Sequence, residues 1–144
     1  MKDKIDNILK LSKANFKENN SFFNKLKKKQ PKQFDYLMID LHNEEFSKIN
    51  CLECANCCKT TSPIFTFKDI LGISKHLRLH VDDFISKYLI IDKDNDYVLK
   101  QSPCDFLNDD NTCFIYDHRP KACREYPHTN RKNFHKISQI TLKN

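Results

Sequence analysis

Glycine is almost absent from this chain. Gly72 is the single one in 144 residues, so no glycine-rich loop for a phosphate-bearing cofactor is available. Long apolar runs are missing as well. The longest, Tyr36 to Ile39 and Tyr88 to Ile91 among them, hold four residues each, far short of the ~20 needed for a membrane-spanning helix. The first residues, Met-Lys-Asp-Lys-Ile-Asp, alternate charge and lead into no apolar h-region, so a secretory signal is not expected. The cytoplasm is therefore the expected compartment, and no membrane partner is expected. Internal repeats and low-complexity blocks are absent too. Apolar residues are not scarce: Ile, Leu, Val and Phe number 39, about 27% of the chain and above the ~20% below which a charged sequence stays disordered. The length fits one domain, or one domain with an appendage. The net charge of +6 is mostly lysine and reads as a solvated basic surface in preference to a nucleic-acid footprint.

Residues 1 to 48 hold no cysteine. Ile5, Leu9, Phe16, Phe23 and Leu26 recur at helical steps, widened by Ile8, Leu11 and Phe22. Pro31 ends that pattern, because proline cannot continue a helix interior. Phe34, Leu37, Met38, Leu41 and Phe46 form a second periodic stretch. The expectation is a pair of helices, a hairpin with Lys27-Lys28-Lys29 near its turn, packed on the rest of the chain or serving as an arm for a protein partner. Further on, Thr66-Phe67-Lys68-Asp69 has the form of a capping box, followed by an apolar face of Ile70, Leu71, Ile73 and Leu77. Asp82 to Leu89 reads as a second short helix with acids in its first turn, where they favour the dipole. Ile90-Ile91 and Tyr97-Val98-Leu99 read as a small β-hairpin. The last 15 residues or so are polar and basic and read as loosely held.

Cysteine is the excess. Seven occur, an odd number, in a chain of reducing-compartment type, which favours metal or redox chemistry over a disulfide framework. Cys51, Cys54, Cys57 and Cys58 fall within eight residues; Cys104, Cys113 and Cys123 follow. A two-residue spacer lets both thiolates of a pair reach one ion while backbone N–H groups point at the sulfurs, the usual unit of tetrahedral zinc sites. Three cysteines spaced by two also match the start of the bacterial ferredoxin run. One zinc or one four-iron cluster takes four thiolates and leaves three idle. Two ions need eight positions, reached if a sulfur bridges or if His118 or His128 joins. Adjacent Cys57 and Cys58 suit two neighbouring sites, or a ligand beside a supporting group, better than one ion. These alternatives stay open. Arg119 and Arg124 are candidates to support the thiolates electrostatically, Lys59 and Lys121 read as surface cations, and Pro120 suits the first turn of a helix that would put Cys123 near its positive end.

Cys-x2-Cys-x2-Cys-Cys, then Pro-Cys-x-Phe-Leu, then Cys-x-Ile-Tyr-x2-Arg-Pro-x2-Cys-Arg-x-Tyr-Pro resembles the YkgJ-type cysteine-cluster family of zinc- or iron-chelating domains. The likeness runs from about Cys51 to Pro127. With all seven cysteines in place, it implies metal or iron–sulfur binding and, for most members, no established reaction; the seven cysteines are the candidate ligands, with Tyr116, Arg119, Pro120 and Arg124 as candidate supporting residues around them. Ala55 departs from the family, which has glycine there to ease a positive φ; Asn56 is the expected substitute. Flagellin lysine-N-methylases carry a similar pattern and use S-adenosylmethionine, but their extra length and any glycine-rich loop are missing here.

Other motifs fail on detail. Asp92-x-Asp94-x-Asp96 starts like a calcium loop, but position six is Tyr97 and position twelve Pro103, so a polar hairpin turn is expected. Thioredoxin-like chemistry lacks its βαβ setting, and the paired histidines of a zinc finger are missing. The expected whole is an α-rich small domain with a minor β-hairpin, organised around a Cys-ligated centre of zinc or iron, a 4Fe-4S cluster included. Residues 1–48 form the helical hairpin, 49–128 the cysteine-cluster domain and 129–144 a basic tail. The expected role is structural, metal-handling or electron-transferring. Alternatives are a methylase-related enzyme and an adaptor that grips an acidic partner through the N-terminal helices.

Overall fold

The computed structural model describes residues 2–141; the side chains of 2–5, 9, 51 and 139–141 are outside its description. In chain order the elements are α1 (Lys2–Ala14), α2 (Phe16–Lys28), α3 (Phe34–Phe46), α4 (Cys51–Cys54), α5 (Asn56–Thr60) and β1 (Ile64–Phe65). Then come α6 (Phe67–Leu77), α7 (Val81–Tyr88), β2 (Leu89–Ile91), β3 (Tyr97–Leu99), a 3-10 turn (Tyr116–His118), α8 (Lys121–Arg124) and α9 (Phe134–Thr141). The chain is thus helix-rich with a small antiparallel sheet. It divides into two units, Met1–Asn50 with Pro127–Asn144, and Cys51–Tyr126.

In the first unit the expected helical pair is three helices. The first is interrupted once, at Asn15 (φ −95°, ψ 12°), although Asn15 N still donates to Leu11 O and Asn19 N to Asn15 O, both at 2.9 Å. Asparagine is a weak helix former, and one residue slips out of helical geometry. As expected, the lysine run closes α2 before Pro31. Leu26, Phe34 and Phe134 form the core, with Phe23, Met38 and Ile137 against it. Leu37, Leu41 and Phe46 of the expected stripe stay exposed; Ile5 and Leu9 lie outside the described side chains. Of the expected tail, Phe134–Thr141 forms the helix α9. The Asp35 carboxylate accepts from Asn133 N at 3.1 Å through each oxygen, just ahead of α9, and Phe134 and Ser138 are buried. Phe134 and Ile137 are too short a stripe to stand out in a basic segment.

The second unit builds its core from Phe65, Ile70, Ile73, Phe84, Leu89, Leu99, Phe106 and Ile115. Each such side chain contributes roughly 1.5–3 kcal/mol by leaving water. The capping box forms: Thr66 Oγ1 accepts from Asp69 N at 3.2 Å, and Thr66 N donates to Asp69 Oδ2 at 3.0 Å. Leu71 points outward at 46% exposure, and buried Ser74 takes its place on the inner face, its hydroxyl donating to Ile70 O at 2.7 Å. The hairpin of β2 and β3 is present, with Ile90 opposite Val98. The acidic run between them is a turn: Asp92 Oδ1 accepts from Asp94 N (2.9 Å) and Asp96 N (3.0 Å), and Asn95 takes φ 66°. A third strand, β1, pairs with β3 and places β3 at the centre. At two residues it was too short to read from periodicity.

Candidate metal centre

The cysteines arrive on short, separately anchored pieces of chain. α4 and α5 carry the first four, with Ala55 between them in the left-handed region (φ 45°, ψ 18°). Ala55 itself, and not Asn56, therefore makes the turn, because Asn56 already begins α5. The side chain of Cys51 lies outside the described set. Cys104 N donates to Cys58 O at 2.8 Å and Ser102 Oγ to Lys59 O at 2.9 Å, so the segment bearing Cys104 is stitched directly to α5. Residues 108–112 then turn back, Asn108 N donating to Thr112 O at 2.9 Å, and Leu107 pairs with Cys113. Cys123 rides on α8, and Pro120 sits just before that helix at its N-cap (φ −52°, ψ 151°), not in its first turn as expected.

Two sulfurs sit in the same kind of knuckle. Cys104 accepts from the N–H of Phe106, and Cys113 from the N–H of Ile115, two residues on in each case. Phe106 and Ile115 are core residues, so packing fixes the donors that face the sulfurs. A backbone N–H aimed at sulfur favours the thiolate over the thiol.

The electrostatics link sulfurs from every segment. Cys58 donates to Cys57 and draws that thiol down to about 6, helped by backbone N–H groups and Arg119 against the opposing effect of burial. Cys58 is pushed up, first because it is the donor of that bond, then by burial and the charges of Cys57, Cys104 and Cys123. Burial raises Cys104 and Cys113, and takes Cys123 to about 12 with help from Cys104, Cys57 and Cys113. So Cys57, Cys58, Cys104, Cys113 and Cys123, up to 66 positions apart in the numbering, act on one another. Cys54 joins through Tyr126, whose phenol is raised by burial and by the charges of Cys57 and Cys54.

Arg119 is the shared cation, lowering Cys57, Cys113 and Cys123. It is held in place: Arg119 Nε donates to Tyr116 O at 2.8 Å, its guanidinium carbon lies 3.6 Å from the Tyr116 ring centre, and Arg124 Nη1 donates to Arg119 O. His118 spends its ring face on His76, the ring centres 4.1 Å apart. His128 falls in the first unit.

A match to a family model covers residues 50–140, more than half of the chain; that family, CxxCxxCC, is described as "Putative zinc- or iron-chelating domain". The chain belongs to this family. No curated protein and no solved structure matches it.

The donor set suits the ions the family is described as chelating. Six described cysteines are free thiols, each half-buried, and thiolate is the ligand that both zinc and iron–sulfur centres take. Among the described residues no group of three or more His, Cys, Asp or Glu side chains is already closed around an ion position. The segments bearing Cys58 and Cys104 are joined by hydrogen bonds, and a thiol must shed its proton to serve as a ligand of either kind.

Two groups in this neighbourhood escape sequence reading. Tyr126 stood in the motif as one more aromatic, and nothing in its spacing marked it as facing sulfur. Asp69 was legible only as the acid of a capping box, yet its other oxygen reaches the start of α8.

Proposed function

We propose that this protein binds zinc or iron through the thiolates of its cysteine unit and acts in holding or handling that metal. The carrying observation is that Cys57, Cys58, Cys104, Cys113 and Cys123, borne on separate chain segments, are linked through one another's charges, while Arg119 favours the thiolates of Cys57, Cys113 and Cys123. Cys51 and Cys54 complete the ligand set, and Tyr116, Pro120 and Arg124 support it by fixing Arg119 and α8. A bound ion supplies cross-links between distant chain segments, and its binding free energy is then folding free energy. The residues themselves present thiolates, donate N–H groups to the sulfurs and offset the accumulated negative charge. Protein purified without oxygen should contain stoichiometric zinc or iron by elemental analysis. A brown colour with broad visible absorption assigns an iron–sulfur cluster, and a colourless loaded protein assigns zinc. Neither metal, with and without oxygen, removes the proposal.

A second reading, an adaptor for an acidic protein segment, is favoured by charge. Residues 1–33 hold ten lysines against three acids, more net positive charge than the whole chain. Ile8, Leu11, Phe16 and Phe22 are exposed among those lysines. A glutamate-rich amphipathic peptide should bind at low salt and release at high salt. Equal binding after Lys25→Glu with Lys28→Glu would eliminate this reading.

A further inference from the structure

We infer that Asp69 is a positioning residue of the metal centre: its carboxylate clamps the start of α8 to the start of α6 and thereby sets where Cys123 presents its sulfur. This rests on the reading that the cysteine unit binds metal. Asp69 is 8% exposed. Its Oδ2 closes the capping box, accepting from Thr66 N at 3.0 Å and from the Thr66 hydroxyl at 2.5 Å. A capping box asks no more of the acid than that. Here Oδ1 also accepts from Lys121 N at 3.0 Å, 52 residues further on, with Arg124 Nη2 at 3.9 Å.

The bond matters because of what α8 is. A four-residue helix cannot hold itself by its own hydrogen bonds, and the N–H of Lys121 has no acceptor inside the helix. Asp69 supplies that acceptor from the rigid end of α6, whose Ile70 and Ile73 are fully buried. Cys123 lies two residues beyond the anchored N–H, and its own N donates to Pro120 O at 3.0 Å. The anchor also reaches Arg119, since Arg124 donates to Arg119 O. Among the described residues Asp69 bonds to Thr66 and Lys121 and to no sulfur, so it acts through Lys121.

Three substitutions in the full chain separate clamping from plain helix stability. Asp69→Asn keeps one acceptor oxygen but turns an N–H₂ toward one of the two donor groups. Lys121→Pro deletes the donor from the other side and leaves α6 untouched; proline suits a first helical position. Thr66→Ala removes the hydroxyl of the cap and leaves the bond to Lys121. The probe is cobalt(II), titrated into reduced protein without oxygen, read by chelator competition and by the thiolate-to-cobalt absorption bands. Asp69→Asn and Lys121→Pro should each weaken cobalt binding about 10-fold to 100-fold, the usual effect of losing a group that orients a ligand, and alter those bands. Thr66→Ala should bind as the parent does. Parent-like binding by Lys121→Pro, or equal weakening by all three, overturns the inference. If the parent binds no cobalt and carries neither zinc nor iron as purified, the metal reading itself fails. The clamp is then read in metal-free protein by the alkylation rate of Cys123, which should rise in Lys121→Pro and not in Thr66→Ala; unchanged rates overturn it.

Discussion

At the scale of single residues, the chain places its one glycine and one of its alanines where each would suit the other. Gly72 lies inside α6, where a Cβ would meet nothing within 4 Å. Gly72→Ala should therefore raise stability by about 0.5–1 kcal/mol through reduced freedom of the unfolded chain, measured by urea denaturation. Ala55 is buried, 2% exposed, with φ 45°. Left-handed backbone costs an alanine about 1–2 kcal/mol. Glycine would relieve that, but would lose a buried methyl worth about 0.8 kcal/mol and make the unfolded chain freer by about 0.4–1 kcal/mol. These effects nearly cancel, so Ala55→Gly should shift stability by less than about 1 kcal/mol in the same assay. The missing glycine was legible at once in the sequence. Which residue makes the turn was not, because that depends on where α5 begins.

At the scale of elements, the aromatic cluster of the second unit connects fold to site. Phe84 of α7 is fully buried, with its ring centre 5.2 Å from that of Tyr88 and 6.3 Å from those of Phe65 and Phe106. Phe106 in turn donates its N–H to Cys104. Phe84→Ala should cost about 3–5 kcal/mol and, by loosening Phe106, weaken metal uptake; calorimetric melting and zinc titration check the two effects. Elements with strong local signals were readable beforehand: the capping box of α6, the acids opening α7, the hairpin of β2 and β3. β1 and α9 were not. Two residues carry no period, and α9 is held by Asp35 and by burial of Phe134 against Leu26 and Phe34, contacts made about a hundred residues away along the chain.

At the scale of the whole molecule, the proposed metal and the proton compete for the same sulfurs. Near neutral pH, Cys57 is ionised while Cys58, Cys104, Cys113 and Cys123, all raised above the ordinary 9.0, keep their protons. Zinc uptake at pH 7 should thus release protons, and zinc affinity should climb as pH rises from there, because each ligand must be deprotonated to bind. Chelator competition in buffers of increasing pH reads this directly, and a flat profile would contradict thiol ligation. Free zinc at about a hundred times its Kd should stabilise the protein by about 2.7 kcal/mol. Cys57→Ser should forfeit most of that gain, seen as a melting temperature that no longer responds to added zinc.

The cysteine spacings, the capping box and the helical periods belong to the sequence alone, because each is a local relation within a few residues where backbone geometry leaves few choices. Residue types and spacings of that kind were enough to recognise the family. Folding had to decide which distant groups meet. It gave the left-handed turn to Ala55, the shared cation to Arg119, the ring face of His118 to His76, and the second oxygen of Asp69 to α8. Those pairings arise from burial of Phe65, Ile70, Phe84, Phe106 and Ile115 in one core, and burial of that sort leaves no periodic trace along the chain.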